Sequence, residues 1–203
     1  MLPPVSLREK QGFFIDHKEK STMGRTVVFV DGEYVRKIFH NKGHRLNVPK
    51  LITHLLSVAK IEEDNLLRVY YYTTSPYQSS NPTPDEKARY QNFQKFLNFL
   101  STQDSFEIKL GRLEKRGNDF EQKMVDVLLS IDLVELSAKS KIETAILVAG
   151  DSDFVPAVQK AKDNGVRVIL CCSADKKEYH AHLWNHADKR IPLDESFMQH
   201  CEN

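Results

Sequence analysis

The stretch ETAILVAGDSDFVPAVQKAKDNGVRVIL, residues 143–170, decides the fold. Residues 143–149 form a short apolar, β-branched run, the pattern of a buried strand. Gly150 breaks the run, and an amphipathic segment follows to about Asn164. Pro156 falls in the first turn of that segment, where a missing N–H does no harm. Gly165 ends the helix, and residues 166–171 are a second apolar run. A strand, a helix and a strand in succession form a crossover unit of a parallel sheet.

The same alternation extends upstream. Residues 26–30 (TVVFV) read as a strand ending at Asp31–Gly32, and residues 33–40 as a helix. Asn47–Val48–Pro49 opens a second helix, with Leu51, Ile52, Leu55, Leu56 and Ala59 at three-to-four spacing. Residues 66–74 (LLRVYYYTT) are a strand, and residues 75–84 (SPYQSSNPTP) a loop. A helix from Asp85 to about Leu100 carries Phe93, Phe96, Leu97 and Leu100 on one face. Residues 106–113 are a third strand, and residues 115–119 (KRGND) turn the chain into a helix over 121–137. A last helix near residues 176–187 precedes a short segment around Ile191. The expected fold is α/β: a doubly wound, mostly parallel five-stranded sheet with helices on both faces.

Composition bounds the function. Lys plus Arg number 29 and Asp plus Glu 28, a net charge of +1. That excludes a histone-like polycation and an acidic disordered tail. Near-zero charge still permits nucleic-acid binding through local patches. Three cysteines, two of them adjacent, make neither a disulfide framework nor a zinc pattern, so a reducing, cytoplasmic setting is expected. No apolar run reaches the ~20 residues of a membrane span, and the N-terminus lacks a signal-peptide core. Residues 1–22 are polar and without period. They read as an arm ahead of a domain over residues 23–203.

Ligands of doubly wound sheets bind outside the carboxyl ends of the strands. Asp31 follows the first strand there, and Asp151 and Asp153 follow the fourth. Three converging carboxylates repel one another unless a cation neutralises them. Oxygen-only donors favour Mg²⁺ or Mn²⁺ over zinc. Asp153 also suits capping of the next helix. The helix over 121–137 is apolar nearly all round and is therefore expected to be largely buried. Its polar stripe holds Gln122, Lys123, Asp126, Ser130 and Ser137. Asp126, near its N-terminus, should lie at the same sheet edge. Asp132 lies about 9 Å further along the axis and reads as a buried, hydrogen-bonded carboxylate or a group behind the metal ligands.

VFVDGEYV, QKMVDVLLSIDLVELS and ILVAGDSDFVPAVQKAKDNGVRVIL, in that order, resemble the NYN domains of the PIN-like nuclease superfamily. The resemblance implies a sheet ordered 3-2-1-4-5, a divalent metal, and hydrolysis of RNA phosphodiesters. It implies catalytic and metal-binding roles for Asp31, Asp126, Asp151 and Asp153. Ser152, Asp132 and Tyr34 fall behind them, and Lys123 matches the lysine before the VDV motif. Many family members have Asn where Tyr34 stands, a change that removes an amide able to orient a metal-bound water. Arg36, Lys37, Arg112, Lys115 and Arg116 are candidate contacts to the RNA backbone, and Tyr72 or Tyr77 to a base. The alternatives are a weakly active or inactive RNA-binding module and a nuclease acting on DNA. A homodimer is compatible with the family. A chain of His180, His182 and His186 reads as a solvated helix end rather than a zinc site, since no third ligand accompanies the pair.

Overall fold

The computed structural model describes residues 25–116 and 119–202, with the side chains of residues 112–123 outside the description. The expectation of an arm over residues 1–22 thus lies outside the described residues. Seven strands form one sheet: β1 (Thr26–Asp31), β2 (Leu66–Thr74), β3 (Phe106–Arg116), β4 (Asp119–Lys123), β5 (Thr144–Val148), β6 (Arg167–Ser173) and β7 (Lys189–Leu193). The helices are α1 (Gly32–Asn41), α2 (Val48–Ala59), α3 (Pro84–Ser101), α4 (Val125–Ala138), α5 (Val155–Asp163), α6 (Ala181–His186) and α7 (Glu195–Gln199). The strand order is β4-β3-β2-β1-β5-β6-β7. All pairs are parallel except β3 with β4.

β1 is central because its side chains serve two cores. Val28 and Val30 pack with Val35, Ile38, Leu51 and Leu55 of α1 and α2 and with Phe197 of α7. Val27 and Phe29 pack on the other face with Leu129 and Leu133 of α4, Val158 and Ala161 of α5, and Leu183 of α6. Successive strand residues point to opposite faces, so a continuous apolar run is what two covered faces require. Each fully buried aliphatic side chain contributes roughly 1.5–3 kcal/mol.

The five expected strands occur in the expected order, and two more extend the sheet. β7, around Ile191, pairs parallel with β6 as a sixth parallel strand. β4 departs from the sequence reading, which put Gln122 and Lys123 in a helix. Glu, Gln and Lys favour helix locally, but pairing with β3 overrides that preference. Met124, at φ +78°, separates β4 from α4. α4 is also less buried than its composition predicts. Only Val125, Leu129, Leu133 and Ser137 are buried, whereas Val127 is 57% and Ile131 54% exposed. Ser137 does not belong to a solvated stripe, because its hydroxyl donates to the Leu133 carbonyl. The helix near residues 176–187 is shorter than expected, and α7 was not foreseen. No described helix is long and apolar enough to cross a membrane.

β1 is also where the winding reverses. β2 and β3 lie to one side of it, and β5, β6 and β7 to the other. The carboxyl end of β1 is therefore the switch point at which such sheets open a crevice.

Candidate active site

Asp31 closes β1 and begins α1. Its Oδ1 accepts the N–H of Glu33 at 3.1 Å and of Tyr34 at 3.0 Å, an N-cap that starts the helix where the strand stops. Gly32 follows because a Cβ there would lie 2.6 Å from the Tyr71 ring and from the Tyr72 carbonyl oxygen. A side chain at that position would push α1 off β2.

Asp151 follows β5 and caps a 3-10 turn over Ser152–Phe154 that leads into α5. Its Oδ1 accepts the Asp153 N–H at 3.1 Å, and the Ser152 hydroxyl lies 3.4 Å from the same oxygen. The capping role that the sequence assigned to Asp153 thus falls to Asp151. Asp153 sits within the turn, exposed. Asp126 stands in the first turn of α4, also exposed.

Asp31, Asp126 and Asp151 line one cleft of about 510 Å³ at the carboxyl edge. Electrostatics links the fourth acid to them. Burial pushes the Asp31 carboxyl up to about 6, and the charge of Asp126 adds to the rise against the two capping N–H groups. Partial desolvation of its carboxyl at the cleft raises Asp126 too, exposed as the residue is overall, followed by the charges of Asp151 and Asp153. The four aspartates therefore share one field, although β1 and β5 are far apart in sequence.

The NYN domain model matches residues 25–194, from the residue before β1 to the residue after β7. This chain belongs to the NYN family. That makes it a PIN-like domain of nuclease type. It is also 37% identical over 74 residues to the uncharacterized protein MJ0482 of Methanocaldococcus jannaschii, covering 36% of this chain and 30% of that protein. A second relative, the uncharacterized protein y4oD of Sinorhizobium fredii, is 37% identical over 71 residues, 35% of this chain and 32% of that protein. The matches span about a third of the length of these curated relatives.

In this NYN domain Tyr34 is a structural strut rather than a water-orienting group. Its phenolic oxygen accepts the Ser173 N–H at 3.0 Å, tying α1 to the end of β6. Its ring lies over Gly150, where a Cβ would stand 2.3 Å from Tyr34 Cε2. Burial raises its pKa, so the hydroxyl stays neutral.

The remaining wall of the cleft was not read from the sequence, which took its one named residue, His180, as part of a solvated helix end. Lys177, Glu178, Tyr179 and His180 line it, from the loop between β6 and α6. The His180 N–H donates to the Gly150 carbonyl at 2.8 Å, which brings that loop over the end of β5. Glu178 is engaged by the Ser173 hydroxyl at 2.6 Å and the Asn41 amide at 3.0 Å. Only topology joins these residues to the aspartates; no local motif marks them.

Asp132 lies away from the cleft. Its Oδ2 accepts the Tyr72 hydroxyl at 2.8 Å and pairs with Lys109 Nζ at 3.7 Å. The sequence reading of a hydrogen-bonded structural carboxylate describes this placement better than one behind the metal ligands. The same bond removes Tyr72 from base stacking, because its side chain is fully buried. Lys109 is likewise engaged, with Glu107 at 3.1 Å and over the Tyr70 ring.

Of the basic candidates, Lys37 lines the cleft. Arg36 is on the other side of α1, paired with Glu33. Arg112, Lys115, Arg116 and Lys123 lie on the β3–β4 ribbon, which runs past the last β2–β3 pair at Gly111. Their side chains are outside the described ones.

The donor set decides which ion these residues suit. Four carboxylates, with no sulfur and no imidazole among them, match a hard divalent cation. Their mutual repulsion is the kind that such an ion relieves. Among the described residues no three His, Cys, Asp or Glu side chains close into a coordination shell.

Proposed function

We propose that this chain is a Mg²⁺- or Mn²⁺-dependent ribonuclease that hydrolyses RNA phosphodiester bonds. The observation that carries the reading is one cleft at the switch point of an NYN domain lined by Asp31, Asp126 and Asp151, with Asp153 two residues further on.

Asp31, Asp126, Asp151 and Asp153 would hold the ion, some of them through water. When bound, the ion acidifies a water and neutralises charge on the scissile phosphate. The chain's own groups supply the rest. Lys37 and Lys177 line the same cleft and offer positive charge to the phosphate. Capping bonds fix the carboxylates of Asp31 and Asp151, so their orientation does not have to be established on binding. Tyr34 and the loop carrying His180 line the same cleft and set its shape beside the carboxylates.

The test is an end-labelled single-stranded RNA incubated with Mn²⁺, Mg²⁺ or EDTA, for the wild type and Asp151→Asn. Asn keeps the capping acceptor, so the variant should stay folded. Cleavage that requires metal and falls by about 100-fold or more in the variant is expected. Undiminished cleavage in the variant, or cleavage in EDTA, would sink the assignment. A second reading, an RNA-binding module without turnover, is favoured by the commitment of Tyr34 to Ser173, where an amide could have oriented a water. Binding without cleavage by the folded wild type would favour it.

A further inference from the structure

A second cleft, of about 530 Å³, opens at the same sheet edge beside the first. α1 separates the two. Tyr34 and Lys37 line the carboxylate cleft, Arg36 lines the second, and Glu33 lines both. The second cleft is bounded by the end of β2 and by one face of α3.

The chemistry of that α3 face is mixed in a way that packing does not require. Arg89, Asn92, Phe93 and Phe96 fall at i, i+3, i+4 and i+7, so they share a face. Further along the helix, Leu97 and Leu100 are buried and complete the core contact. Phe96 packs edge-on against Tyr71. Phe93 lies beyond this contact, partly buried, and lines the cleft. Arg89 and Asn92 are exposed beside it. Arg36 faces them from α1, its guanidinium held by the Glu33 carboxylate through both Nε and Nη2.

Two guanidinium groups, an amide and a partly buried aromatic ring around one hollow are the parts that hold a nucleotide. Guanidinium binds phosphate oxygens, and an aromatic ring stacks a base whatever its identity. The volume falls within the roughly 300–1,000 Å³ of small-ligand sites. The first cleft is built of carboxylates and repels phosphate unless a cation is present. The second carries Arg89 and the Arg36–Glu33 pair, one net positive charge.

We infer that the second cleft is a nucleotide-binding subsite for a single-stranded polynucleotide whose neighbouring phosphate lies in the carboxylate cleft. The strand crosses the N-terminus of α1 at Glu33, with a phosphate between Arg36 and Arg89 and a base on Phe93. The inference rests on reading the carboxylate cleft as a phosphodiesterase site. RNA and single-stranded DNA present the same phosphate and base chemistry to these residues.

The test measures binding without turnover. Asp151→Asn protein in EDTA is titrated into a fluorescein-labelled RNA of about twelve nucleotides, and into DNA of the same sequence. Arg89→Gln and Phe93→Leu are then added singly to that background. Each should weaken binding about five- to tenfold for RNA. Arg89→Gln should also make the slope of log affinity against log salt shallower by about 0.7, whereas Phe93→Leu should leave it unchanged. Equal losses on DNA would assign the subsite to the shared chemistry; loss on RNA alone would assign it to RNA. Thermal melts check folding, and Arg89, being exposed, provides the substitution least able to disturb it. Variants that bind as tightly as their parent overturn the inference. So does a loss with Arg89→Gln alone, which marks a generic polyanion surface. Hydrolysis of bis(4-nitrophenyl) phosphate by the wild type with Mn²⁺ reports the carboxylate site separately. Failure there, with RNA binding still dependent on Arg89 and Phe93, would remove the enzyme reading and leave the subsite standing.

Discussion

Asp31 holds α1 by its cap and stands in the cleft with its charge opposed by burial and by Asp126. A carboxyl held near 6 rather than at 3.8 binds its proton more tightly in the folded protein than in the unfolded chain. Its ionised form therefore lowers stability. The loss is full above a pH of about 6 and fades as pH falls from there toward 3.8. Without metal the burden is on the order of 3 kcal/mol. Asp31→Asn keeps the capping oxygen and removes the charge. In EDTA at pH 7.5 the variant should be more stable than wild type by about 1–3 kcal/mol in urea unfolding, and the gap should narrow near pH 4.5. A variant less stable than wild type at pH 7.5 would show that the carboxylate is compensated by something other than a cation. At this scale the sequence was most legible where a residue type and a strand end coincide. Asp31, Asp151 and Asp153 could be named because acids directly after apolar strand runs stand out, and Asp126 because it lies near the start of a helix expected at the same sheet edge. Tyr34 could not be understood, because the partners that explain it, Gly150 just after β5 and Ser173 at the end of β6, are brought together only by folding.

Tyr34 joins the scale of the residue to that of the elements, since α1 leans on the ends of β5 and β6 through it. Gly150→Ala would place a methyl 2.3 Å from the ring and 2.8 Å from the Glu178 carbonyl oxygen. Such overpacking should destabilise the fold by about 3 kcal/mol. In a Tyr34→Ala background the ring is gone and the Glu178 carbonyl remains, so the penalty should shrink without vanishing. A double-mutant cycle by urea unfolding measures the difference, and additivity would mean that the ring and Gly150 do not bear on each other. Elsewhere, element legibility followed the strength of the hydrophobic pattern. β2 was read to the residue from LLRVYYYTT, and the sheet strands around it within one to three residues. The pattern failed at residues 119–123, where DFEQK carries no strand signal and β4 exists through pairing with β3. It misled at α4, where an apolar composition concealed an exposed strip through Val127 and Ile131. Composition reports which residues are available for burial, and the neighbouring layer decides which of them are covered.

At the scale of the whole molecule, topology does what charge does not. A net charge of +1 provides no long-range pull on a polyanion, so affinity must come from cations that the fold collects at one edge. The described residues place Lys37 and Lys177 in one cleft and Arg36 and Arg89 in the next, with Arg36 already shared with Glu33. About three phosphates can therefore be neutralised, at about 0.7 in slope each for a single strand. The order of the central strands was readable because right-handed crossovers leave few alternatives, and the edge was readable as a binding place for the same reason. The two clefts were not, because each draws on segments that share no motif. The slope of log affinity against log salt should thus be near −2 for a single-stranded RNA on the Asp151→Asn protein at a fixed Mg²⁺ concentration, a shallow dependence for a nucleic-acid protein. A slope steeper than about −4 would require more cations than the two clefts supply. The β3–β4 ribbon carries the next set in sequence, Arg112, Lys115, Arg116 and Lys123, and runs past the last β2–β3 pair at Gly111. Replacing those four with glutamine should then bring the slope back toward −2, and leave it unchanged if the clefts alone hold the strand.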